Sequence, residues 1–165
     1  MRTQGIENFC TWLDQTPLSQ TIQSTPWVIP AVQTVHILAI AAVMSSVLMI
    51  DLRMLGVLGR DQPLARVSAR FRPVIWWALP ILLATGMVLV ISEPIRSLAN
   101  SVFQLKMALL VAAIVTTLSY EVPLGRDPSF WERTGGRRGA VKMLAVLSLL
   151  LWGGIVFSGR WIAYV

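Results

Sequence analysis

Charge is scarce in this chain, and so are the side chains that most often carry catalysis. Of 165 residues only 13% are charged, 55% are hydrophobic, and there is one histidine and one cysteine. That balance is too apolar for an ordinary water-soluble domain. The single cysteine, Cys10, excludes an intrachain disulfide. Phosphate-binding loops, nucleophile elbows and HExxH pairs are missing, which removes the usual soluble-enzyme templates. Internal repeats and low-complexity tracts are missing too, and nothing marks a second folded domain. Residues 1–26 lack the continuous apolar core of a cleavable signal peptide. The apolar segments hold no paired acids for proton coupling, and four helices leave little room for alternating access, which argues against a transporter.

What the chain does have is long apolar runs. Four of them, at about 27–50, 73–92, 102–119 and 141–158, approach the roughly 20 residues a helix needs to cross about 30 Å of hydrocarbon. The expectation is an all-α integral membrane four-helix bundle over residues 27–165, preceded by an N-terminal segment, residues 1–26. In that segment Ile6, Phe9, Trp12 and Leu13 recur at helical spacing, with Glu7, Asp14 and Gln15 on other faces. They predict a short amphipathic helix before Pro17, lying on the membrane surface or packing on a partner. Trp27, the Trp76–Trp77 pair, Trp161 and Tyr164 read as interface anchors at span ends.

The net charge of +6 is placed unevenly. Arg53, Arg60, Arg66, Arg70 and Arg72 lie between the first two spans. Arg126, Arg133, Arg137 and Arg138 lie between the last two, with Lys142 at the very start of the fourth. The N-terminal segment has only Arg2, the 93–101 connection only Arg96 and the C-terminus only Arg160. Basic residues are retained in the cytoplasm, so both termini are expected outside, in the periplasm of a bacterium with the chain in its inner membrane. The lipid bilayer and its anionic headgroups explain the arginines, and no nucleic-acid partner is called for. Asp51 and Arg53 fall at the cytoplasmic end of the first span, where an ion pair or headgroup contacts account for them. Glu93 and Arg96 flank Pro94 in an ordered outer turn.

Two ionisable groups fall inside the spans. His36 lies nine residues beyond Trp27, about 13 Å along a helix, and Lys106 lies a few residues into the third span. Such groups are costly at membrane depth and mark a functional site by default. With alternating helix directions, His36, Met87 (after Gly86) and Lys106 fall in the same outer half of the bilayer. Plainer roles exist for each: His36 as a structural histidine bonding Gln33 or a carbonyl on a neighbouring helix, Lys106 reaching to the headgroups, and Met87 as packing. The small residues Ala39, Ala41, Ala42, Ser45, Ser46, Ala112, Ala113, Gly153 and Gly154 allow close approach of another helix or a flat ring.

These features together carry a resemblance. His36 in the first span, Asp51-Leu52-Arg53-Met54-Leu55-Gly56 where it ends, Ala84-Thr85-Gly86-Met87 in the second span and Phe103-Gln104-Leu105-Lys106 opening the third resemble a group of small bacterial membrane proteins. The group comprises the copper-resistance D-type membrane domain, the HemJ-type protoporphyrinogen oxidases and uncharacterised relatives, the last being most similar. The resemblance covers most of residues 27–119. It implies a four- or five-helix bundle with His36 as a haem b ligand, and Lys106 matches the group's intramembrane lysine. Bis-histidine ligation within one chain is excluded. A haem would be five-coordinate, take Met87, or share histidines across a dimer, with Lys106 placed to pair with a propionate.

Three functions are therefore in view. The first is a haem b redox protein exchanging electrons with a quinone or a periplasmic partner, a porphyrinogen oxidase being a special case. The second is copper handling, with His36, Met87 and Met107 as a soft imidazole–thioether set. The third is a non-catalytic anchor or accessory subunit in a homo-oligomer or larger membrane complex.

Overall fold

The computed structural model describes residues 2–98 and 100–161. The expected anchor Tyr164 lies outside them, and the side chains of Arg2, Ile6, Arg160 and Trp161 are also outside the described set. The described residues form seven helices and no strand: α1 (Arg2–Asp14), α2 (Pro17–Ser24), α3 (Val28–Leu55), α4 (Leu64–Ser92), α5 (Pro94–Leu98), α6 (Ser101–Arg126) and α7 (Gly135–Trp161). Helices α3, α4, α6 and α7 are each long and apolar enough to cross a membrane, with mean hydropathy of 1.8 to 2.3 over their most apolar stretches.

These helices outrun the expected spans. α4 begins at Leu64 rather than near residue 73, and α6 continues to Arg126. A hydropathy window ends where arginines begin, but Arg66, Arg70 and Arg72 are good helix formers and the backbone ladder continues through them. At 29 residues α4 is about 43 Å long, more than the hydrocarbon thickness, so its arginine turns extend toward the headgroups.

Each long helix buries a narrow stripe and leaves the rest of its apolar surface for lipid. On α7 the buried residues are Val141, Ala145, Ser148, Trp152, Ile155 and Ser158, spaced three or four apart so that they line one seam. The facing stripe on α3 is Ala39, Val43, Ser46, Val47, Ile50, Asp51 and Met54, and α6 supplies Ala113, Thr116, Tyr120 and Leu124. Close packing runs in the order α4–α3–α7–α6. α4 and α6 meet instead through side chains at one end: the Ser68 hydroxyl donates to Glu121, and Arg72 pairs with the same carboxylate at 3.6 Å.

That end also carries the arginine-rich connections. Gly56 closes α3 with φ +73°, a left-handed cap that a side chain would strain. Arg53 Nε donates to the Gln62 carbonyl at 2.7 Å and its guanidinium reaches Glu132 at 3.3 Å. Arg53 thus pairs with Glu132, not Asp51. Trp131 is buried and donates its indole N–H to the Tyr120 carbonyl at 3.1 Å.

At the opposite end the N-terminal segment is two helices rather than one. Thr16 caps α2, its hydroxyl accepting from Ser19 N, with Pro17 in the first turn. The pair is fastened to the end of α4 and to α5. Ser19 Oγ donates to the Ile91 carbonyl at 2.7 Å, Gln23 Nε2 to the Ser92 carbonyl at 2.9 Å, and buried Cys10 faces the Pro94 carbonyl. Phe9 and Trp12 lie on its outer surface in mutual contact. Glu93 and Arg96 pair at 3.0 Å across the α5 turn, as the sequence suggests.

Candidate functional site

Four helices bring polar or unhindered positions together near the end that the N-terminal helices cover. His36 comes from the third turn of α3, Thr85 and Gly86 from the last turns of α4, Lys106 from the second turn of α6 and Gly159 from the end of α7. Alternating helix directions place all of them at one level.

The His36 ring is held by α4. Its Nδ1 lies 2.7 Å from Thr85 Oγ1. Thr85 also bonds back to its own helix, donating to the Ile81 carbonyl at 2.6 Å. A hydroxyl has one proton to donate. With that proton committed to Ile81, Thr85 accepts from His36, so the network assigns the proton to Nδ1. The neutral ring then presents Nε2 as a free lone pair, the arrangement that orients histidine for ligation. The partner is a neighbouring side-chain hydroxyl, not Gln33 or a carbonyl.

Gly86 lies beside the ring: a methyl group there would stand 3.6 Å from His36 Cε1, at ordinary contact distance. Lys106 is treated similarly by α7: a methyl on Gly159 would lie 3.8 Å from Nζ. The ammonium is half-buried and close enough to act electrostatically on His36. It therefore lies inside the bundle against α7, with His36 in reach of its field.

Met87 is not part of this group. It is 57% exposed, and its position two residues beyond Thr85 turns it about 200° around α4 from the side that meets His36. Met107 is likewise exposed, at 43%. The methionines expected to complete a haem or copper ligand set thus face outward, because helical spacing aligns residues three or four apart and not adjacent ones. Among the described residues no three His, Cys, Asp or Glu side chains cluster as a metal site. Of the small residues expected to admit a flat ring, Ala39 and Ala113 are buried between helices, whereas Ala41 and Ser45 face outward. Gly154 accepts Leu109 at ordinary contact distance.

Sequence reasoning missed two partners and one buried group. Thr85 and Gly159 have no signature of their own, and only the crossing of helices gives them roles. Asp51 is the third: it is fully buried and pairs with no basic residue among those described.

Four apolar spans with ionisable groups held between them define a multi-pass membrane protein with an intramembrane polar site. Within that class, the chain belongs to the family of unknown function DUF6644, whose model matches residues 13–165. That match takes in all four long helices and α2. No curated protein and no solved structure gives a match.

Proposed function

We propose that this protein binds haem b through His36 and serves in membrane electron transfer. The observation behind the reading is the commitment of the Thr85 hydroxyl to Ile81, which leaves His36 Nε2 as an oriented, unprotonated donor inside the membrane domain. His36 is the one residue of this chain that would hold the haem iron, and any further protein ligand would have to come from another copy. Lys106 supplies the positive charge that a propionate needs at this depth. Bound haem supplies one-electron redox chemistry. The chain's own contribution is the fixed imidazole, Gly86 beside it and a cation held against Gly159. The resemblance to copper-resistance D-type and HemJ-type membrane proteins rests on the same His36 and Lys106. On this reading the arginine connections face the cytoplasm of a bacterial inner membrane, and the His36 end faces the periplasmic half.

The test is an absorption spectrum of the detergent-purified protein, oxidised and dithionite-reduced, before and after incubation with haemin, with a haemochrome assay. A stoichiometric haem b signal that His36→Ala abolishes is the expected result. A protein that stays colourless and takes up no haemin overturns the reading and favours an accessory subunit. His36-dependent copper binding in its absence would move the site to copper handling.

A further inference from the structure

Asp51 is the only one of the chain's eight acidic residues that is buried, and its exposure is zero. Both carboxylate oxygens lack a hydrogen-bond partner. The Ser148 hydroxyl of α7 lies against the carboxyl as its one neighbouring side-chain donor, short of full hydrogen-bond geometry, and the indole N–H of Trp152 one turn further along α7 has no partner. The unpartnered buried side-chain atoms of the described structure belong to these three residues alone. Buried polar groups are nearly always bonded, so three that are not, on two facing helices, call for a ligand.

The charges around the carboxyl do not neutralise it. On α6 the Tyr120 phenol is near enough to feel its charge, and Glu121 is turned to Ser68 and Arg72 of α4. Arg53, two residues along α3, is spent on Glu132 of the last connection. Arg66 and Arg70 on α4, and Lys142 at the foot of α7, are exposed. A buried ion with no counterion is too costly to persist, and such a group neutralises instead. A metal cation is a poor candidate for that task. Hard cations need six or so oxygens, whereas this site offers a carboxyl and a hydroxyl, with a donor-only indole on the same face.

We propose that Asp51, with Ser148 and Trp152, forms a proton-binding site in the core of the bundle. The carboxylic acid donates as well as accepts, and the Ser148 hydroxyl takes either role. Asp51 is one helical turn from the end of α3 at Leu55, about 6 Å, on the side of the arginine connections. The proton exchanges with that side. His36 lies fifteen residues away on the same helix, about 22 Å, so this site is separate from the haem reading.

The experiment is infrared spectroscopy of the full-length protein in lipid nanodiscs, in H2O and D2O at neutral pH. The wild type should show a protonated-carboxyl C=O band equivalent to one group per chain, shifted down in D2O and lost completely in Asp51→Asn. Absence of the band, or its survival in Asp51→Asn, overturns the proposal. So does its loss on adding sodium or potassium at constant pH, which would make the site a cation site. If Asp51→Asn does not fold, the band is measured in Asp14→Asn, Glu121→Gln, Asp127→Asn and Glu132→Gln, the part-buried acids. Its persistence in all four assigns it to Asp51, and its loss in any one refutes the assignment.

Discussion

Thr85 on α4 accepts a 2.7 Å hydrogen bond from His36 on α3 while giving its own proton to Ile81. This one hydroxyl sets both the orientation and the tautomer of the chain's single imidazole. Thr85→Val keeps the shape and removes the acceptor, stranding the Nδ1 proton. Outer-shell partners of this kind are worth ten- to a hundredfold in ligand affinity. Haemin titration followed by absorbance should therefore show Thr85→Val weaker than wild type by roughly that factor, with Thr85→Ser close to wild type.

Glu132 ties the last connection to the first. Its Oε1 accepts from both Arg53 and the Leu64 backbone N–H, each at 3.3 Å. Glu132→Ala leaves a mostly buried guanidinium and an amide short of an acceptor. The carboxylate is 42% exposed, so solvent softens the loss, to about 1 kcal/mol. Glu132→Gln retains the acceptor and should lose less. Thermal unfolding in detergent, monitored by circular dichroism, should rank wild type above Gln and Gln above Ala.

Asp127 gives the same connection an acid limit. It accepts from the Ser129 hydroxyl at 2.9 Å and the Ser129 amide at 3.1 Å, and pairs with Arg133 at 2.7 Å. The Ser129 bonds first, and then Arg133 and Arg137, hold its carboxyl below the usual carboxylate range. A depressed value means that the folded loop binds fewer protons than the unfolded one. Its contribution is therefore present above the ordinary value of about 4 and is lost as pH falls through the depressed one. Limited proteolysis should cleave near residues 127–134 faster as pH drops below about 4, and Asp127→Asn should be cleaved readily at neutral pH too.

The arginine distribution predicts which end faces which compartment. In a Cys10→Ser background, a cysteine at Ser129 should resist a membrane-impermeant maleimide in intact cells and react once the membrane is opened. A cysteine at Ser97, in the α5 turn, should react in both. The reverse pattern would invert the topology.

Much of this architecture was legible in the residues themselves. Hydrocarbon admits only backbone that satisfies its own hydrogen bonds, so four apolar runs of membrane-crossing length had to be four helices. The cost of a buried charge marked His36 and Lys106 from composition alone. Their shared level followed from counting residues along alternating helices. Tertiary structure decided everything that depends on which faces meet. Met87 and Thr85 are two residues apart, yet helix α4 turns one to lipid and the other to His36. Asp51 and Arg53 are just as close in sequence, and their helix sends Asp51 into the core and Arg53 to Glu132. Sequence fixes the angle between such neighbours at about 100° per residue. Where that angle points is set by the packing of α4, α3, α7 and α6 against one another, which no local pattern records.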